Sequence, residues 1–255
     1  MPSYTKSLIL CLLLFVFNGC NNKTLELEKK EPIKTKFVEL KTKSFESENQ
    51  YIILALESEN QKLYFDARNL YFKLFEKTDN YEYFVKYLAI STHIQDYKIV
   101  KEHALKYYKN NIKEEEIILR LYTFALFKLG NQKEALLNAQ KLANLFKGDV
   151  NYELLGTIYL QQKDYLKAYE FFEKSFVLNK SANTFLNLTN IQYFNLSQKT
   201  EAINKIEQYI KDKGHDFNLS IQLLTFYEKE QQTQKMVPLL KEMYFEYKKN
   251  KDNSE

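Results

Sequence analysis

The stretch YELLGTIYLQQKDYLKAYEFFEKSF, residues 152–176, decides how the rest of the chain is read. Leu155, Gly156 and Tyr159 fall at helical spacing in its first half, and Ala168, Phe172 and Ser175 do so in its second. Asp164-Tyr165 separates the halves and marks a turn. Ala168 then works as a ruler: its place recurs at Ala67, Val100, Ala135, Ala202 and Met236, a period of about 34 residues. Four residues further on come Tyr71, Ala104, Ala139, Phe172, Ile206 and Leu240. In the preceding helix Tyr159 is matched by Tyr193, Tyr227 and, one repeat earlier, Leu126. KLGNQKEAL, residues 128–136, is a second clear copy with Gly130 at the turn.

A helix pair of this kind leaves one apolar face uncovered, and stacking the next pair covers it. Small residues at the ruler positions let the two helices approach, where a large one would push them apart. Breakers are scarce (5 Gly and 3 Pro in 255 residues) while Leu, Lys, Glu and Gln are plentiful, which predicts an all-helical body. The middle copies are clean; those near residues 51–78 and 217–249 are degraded, as terminal repeats often are.

The repeat resembles the tetratricopeptide repeat (TPR). That family's large aromatic, Leu-Gly, Tyr, Ala, aromatic and small residue are matched by Tyr152, Leu155-Gly156, Tyr159, Ala168, Phe172 and Ser175. The resemblance implies an all-α, right-handed superhelix of about six antiparallel helix pairs. The Pro that closes a family repeat is absent, with Lys180 and Gly214 in two of its places. Pro238, by contrast, falls inside the last predicted helix and is expected to shorten or kink it.

The head of the chain is read differently. Lys6 and the apolar run LILCLLLFVF, residues 8–17, have the form of an export signal and are too short to span a bilayer as a helix. Phe17-Asn18-Gly19-Cys20 resembles the lipobox of bacterial lipoproteins. That resemblance implies cleavage before Cys20, a diacylglycerol on its sulfur, and durable anchoring by two or three acyl chains such as palmitate. Cys11 lies within the segment to be removed, so the remaining lone cysteine can form neither an internal disulfide nor a metal cluster. Asn21, rather than Asp, after the cysteine favours the outer over the inner membrane. The expected organisation is a signal over residues 1–19, a charged tether over 20–46 interrupted by Pro32, a solenoid over 47–249 and a charged tail over 250–255.

Catalytic patterns are lacking in the sequence. His93, His103 and His215 stand apart without ligand spacing, and five glycines form no phosphate-binding loop. The acidic run KEEE, residues 113–116, suits a helix N-terminus. Interleaved charges, net +4, do not make the basic stripe of a nucleic-acid binder. The reading expects no enzyme activity, cofactor, metal or nucleic acid.

In the family, ligands lie along the inward face of the first helices. Carried over, that face is Arg120, Phe124, Phe127 and Lys128; then Glu153, Thr157, Leu160 and Gln161; then Asn187, Ile191, Phe194 and Asn195. A second candidate surface is the last helix, where Val237, Tyr244 and Phe245 lie off the apolar stripe and suggest self-association or docking. Asp216-Phe217-Asn218-Leu219-Ser220 fits an acidic-extended glycosylation sequon at an expected inter-repeat loop, with Asn218 as acceptor. The function expected is a membrane-anchored, periplasm-facing scaffold that binds protein segments in an envelope assembly. Narrower alternatives are a β-barrel assembly lipoprotein, a pilotin for a secretin, or a flagellar motor scaffold.

Overall fold

The computed structural model describes residues 45–110 and 115–252. The signal segment, Cys20 and the tether before Phe45 lie outside the described residues, as do Lys113 and Glu114 of the acidic run and the end of the tail. Among the described residues there are twelve α-helices and no strand. They form six pairs: α1 (Glu48–Asn60) with α2 (Tyr64–Thr78), α3 (Tyr81–His93) with α4 (Tyr97–Asn110), and α5 (Glu116–Lys128) with α6 (Gln132–Leu145). The second three are α7 (Asp149–Gln161) with α8 (Tyr165–Asn179), α9 (Ala182–Phe194) with α10 (Lys199–Lys213), and α11 (Phe217–Lys229) with α12 (Thr233–Asp252).

Each helix packs on the next in sequence, and α3–α5, α5–α7 and α9–α11 also touch. The first helices of successive pairs therefore share an inner side. The ruler residues sit at the centre of this packing. Ala67, Val100, Ala135, Ala168 and Ala202 are fully buried, as are or nearly are Tyr71, Ala104, Ala139, Phe172 and Ile206 four places on. The approach of α7 to α8 is tight: a Cβ on Gly156 would lie 3.3 Å from the Ala168 carbonyl oxygen and 3.2 Å from Phe172 Cδ2.

Each pair turns its corner through one left-handed residue: Lys62, Gln95, Gly130, Lys163, Ser197 and Gln231, with φ between 56° and 77°. At the α7–α8 corner, Gln162 N–H donates to the Ile158 carbonyl, Lys163 N–H to that of Leu160, and Asp164 N–H to that of Tyr159. The same three bonds close the α1, α3, α5 and α11 corners, satisfying the helix's last carbonyls; the α9 corner holds one more residue. Lys180 and Gly214 end α8 and α10 with φ of 52° and 86°. Proline is locked near −65°, so the family's closing Pro cannot stand at either place.

The last pair departs from the ruler. Leu240 is exposed, while Leu239 is buried and Met236 and Met243 are half-buried against α11. Among the described residues no further pair covers Leu240, and α12 turns Met236, Leu239 and Met243 toward the core. The helix also runs unbroken through Pro238 for 20 residues, so the expected shortening does not occur.

Two predictions concern these features. Gly156→Leu, which drives a side chain into Phe172 and the α8 backbone, lowers unfolding free energy by about 1–3 kcal/mol in chemical denaturation. Gly130→Ala has open space for its methyl but the wrong φ, and should cost about 1 kcal/mol, whereas Lys163→Gly should be neutral to stabilising by a similar amount.

Candidate functional site

The inner side of α5, α7 and α9 carries most of the residues expected there. Phe124 and Phe127 are half-buried and Lys128 is exposed, its ammonium 5.2 Å and 6.0 Å from the two ring centroids. Thr157 and Leu160 are half-buried and Gln161 is exposed on α7; Asn187 is half-buried on α9. Thr157 turns its hydroxyl back to the Glu153 carbonyl oxygen, 2.8 Å away. Phe194 is 53% exposed, yet its ring is fixed by Tyr193 at 4.8 Å and Phe226 at 5.6 Å. Tyr193 and Phe226 are themselves stacked at 3.8 Å. Phe194 thus offers an apolar surface on a rigid base, which keeps the entropy cost of binding low.

Two expected groove residues have other work. Ile191 is 2% exposed and belongs to the core, because α11 packs over that part of α9; it does not line an open surface. Arg120 donates from Nη1 to Glu116 Oε1 and to Asn151 Oδ1, both at 3.1 Å. Asn151 is fully buried and donates in turn to Glu116 Oε1 at 2.9 Å and the Phe146 carbonyl at 2.8 Å. That network ties α5 to α7 and accounts for Glu116 of the acidic run.

Glu153 stands in the place of Arg120 one repeat on and has no such tie: among the described residues no ion pair or side-chain hydrogen bond holds its carboxylate. Burial pushes its carboxyl above the usual range, and the neighbouring Asp149 charge adds to this. Ile221, exposed on α11, takes the place of Arg120, Glu153 and Asn187 in the next repeat, with exposed Phe217 a turn before it, while the place of Phe194 is taken there by Glu228. The ruler spacing alone locates Ile221; the degraded look of the last repeat hid it.

No family model matches the sequence, and no curated protein does. Solved structures are similar in fold. A tetratricopeptide repeat protein from Parabacteroides merdae superposes with a TM-score of 0.62 at 14% identity, over 79% of this chain and 80% of that one. For pilF of Pseudomonas aeruginosa the values are 0.59 and 18%, over 82% and 98%. For YrrB, described as a TPR protein with an unusual peptide-binding site, they are 0.50 and 16%, over 66% and 88%. The fold is a tetratricopeptide-repeat solenoid. About six repeats, as expected from the ruler, correspond to the twelve helices.

At the last pair several polar side chains engage one another. A cleft of about 490 Å³ between α10, α11 and α12 is lined by Glu207, His215, Tyr227, Lys235 and Glu242. Glu207 accepts from Tyr227 Oη at 2.6 Å and Lys235 Nζ at 2.8 Å. His215 meets Ser220 Oγ at 3.1 Å and Glu242 at 3.5 Å. Burial favours the neutral form of Glu207, but the bonds from Lys235 and Tyr227 and the Lys235 charge outweigh it and hold the carboxyl below its usual range. No group of three or more His, Cys, Asp or Glu lies together as a metal site among the described residues. No described helix is long and apolar enough to cross a membrane.

The expected glycosylation loop is a helix start. Asp216 caps α11 by accepting from Leu219 N–H at 3.0 Å, Asn218 is exposed in the first turn, and Ser220 is buried. Asp216 and Ser220 are thus explained by capping and by the His215 contact, without a modification at Asn218.

The two carboxylates give opposite pH signatures. Glu153, with its folded value raised, costs stability once ionised, so Glu153→Gln should unfold at a slightly higher temperature at pH 7. That gain should vanish as pH falls below about 4. Glu207, with its folded value lowered, adds stability above the ordinary carboxylate value that is lost as pH falls through the folded one. Glu207→Gln should therefore be less stable at pH 7, with the difference shrinking below about pH 4.

Proposed function

We propose that this chain is a lipid-anchored adaptor of the bacterial cell envelope whose solenoid holds a segment of a protein partner. The observation that carries the reading is Phe194: a large apolar ring, open on one side and immobilised on the other, in one row with Phe127 and Leu160. Natural surfaces seldom keep such a row without use. Glu153 adds a polarity to it, since a half-buried carboxylate without a partner is met best by a basic side chain or an N–H donor of the bound segment. The segment is an extended peptide or a helix with apolar anchors and a cation near its middle. YrrB's described peptide site is in keeping with this, as a likeness of fold only. Cys20 supplies the address: its lipobox-like setting supports anchoring in the membrane, with the solenoid on the periplasmic side.

Crosslinking and pull-down of the full chain from its native envelope identifies the partner. Phe127→Ser combined with Phe194→Ser should weaken capture of that partner by tenfold or more, as expected for a lost aromatic anchor worth about 2 kcal/mol, while the helical circular-dichroism signal persists. Undiminished capture would place the binding surface elsewhere. Cys20→Ala should move the protein from the membrane fraction to the soluble periplasm; an unchanged distribution overturns the anchor.

A further inference from the structure

The two ends of the solenoid are unfinished in complementary ways. The left-handed corner residue provides a common register for all six pairs. Leu240 lies nine residues after its corner and is 49% exposed; its equivalents Tyr71, Ala104, Ala139, Phe172 and Ile206 are at most 3% exposed. Tyr244 stands four further on, where Phe75, Tyr108 and Phe176 each stack on an aromatic of the following first helix. Those stacks are Phe75–Phe84 at 4.5 Å, Tyr108–Tyr122 at 6.4 Å and Phe176–Phe185 at 5.0 Å. The face of α12 bearing Val237, Leu240 and Tyr244 is thus a repeat junction whose second half is missing.

The missing half has the form of α1. Leu54 lies eight residues before its corner and is 54% exposed, whereas its equivalents Tyr87, Tyr122, Leu155, Thr189 and Leu223 are at most 5% exposed. Ile53 beside it is open as well. Charge agrees with shape: residues 45–61 contain four Glu and no Lys or Arg, and although Glu48 is held by Tyr83 and Glu59 by Lys86 of α3, Glu46 and Glu57 lie apart from these contacts. The exposed rim of α12 carries Lys241, Lys248 and Lys249, while its Glu242 and Glu246 lie on the side toward His215 and Gly214. An α12–α12 pairing would set Lys-rich rim against Lys-rich rim; α12 against α1 sets it against carboxylates.

We infer that copies of this chain associate head to tail, α12 of one covering α1 of the next as a seventh repeat junction. Leu240 and Val237 then enter the gap beside Leu54, and Tyr244 stacks toward Tyr51. Such a contact is heterologous, so each added copy leaves a free α12 and a free α1 and the assembly grows beyond two. One helix-on-helix junction buries less than a standard stable interface, so growth is concentration-dependent.

Cysteine crosslinking of the purified full chain in detergent tests this. On oxidation at high concentration, Leu54→Cys combined with Tyr244→Cys should give a ladder of dimers, trimers and larger species absent from the parent. The two single variants mixed together should give a crosslinked dimer and nothing larger, and neither alone should exceed the parent. Adding Leu240→Glu to the double variant should abolish the ladder while leaving helicity unchanged. Dimers from Tyr244→Cys alone would mean a tail-to-tail pair and overturn the proposal. So would the absence of any crosslink beyond the parent, or a ladder that survives Leu240→Glu.

Discussion

The rest of the structure depends on how near α7 and α8 can come, and their equals in each repeat. Gly156 has no Cβ to keep it from the Ala168 carbonyl, and the ruler residues of the first five pairs are Ala or Val, with Met236 in that place only in the last. Closeness there lets Phe172 lie directly against Gly156 and keeps Tyr71, Phe172 and Ile206 out of solvent. A pair held apart by a larger residue would have no flat apolar face to offer, and the stack would lose its next layer. Interior packing of this density makes small volume changes costly.

The corners constrain the array in another way. Five of the six left-handed positions are Lys, Gln or Ser, residues that adopt that conformation at a cost, yet the bonds closing the helix ends are kept. Five corners that could each be improved by glycine and are not suggest that corner stability is in surplus in this array. The polar links that lie over the packed helices, such as Arg120–Asn151–Glu116 and Tyr227–Glu207–Lys235, join elements already in contact. They fix register more than they supply cohesion.

Much of the fold was legible in the chain because the ruler records packing, and packing repeats. It failed at Leu240 because α12 sets Leu239, one place earlier, into the core in its stead. Ile191 misled because a residue on the inner face of one helix is still covered when the next first helix leans on it, a matter of tilt that spacing does not encode. The tie of Arg120 to Glu116 and Asn151 could not be read from spacing because those partners belong to different repeats. The sequon falls at a helix start and not in a loop, because Asp216 also suits a helix cap. Phe194 was found by position, but its fixed ring could be seen only once Tyr193 and Phe226 were stacked beneath it.

The contact pattern also bears on how the chain reaches this state. Among the described helices, substantial packing reaches no further than the next helix or the one after. Every stabilising encounter is therefore between segments that are close along the chain, and little loop-closure entropy opposes it. A chain emerging end first can complete each pair, and cover the one before, while its remainder is still unavailable. Structure in such an array can start at any pair and spread to its neighbours, with no late step in which distant parts must find each other.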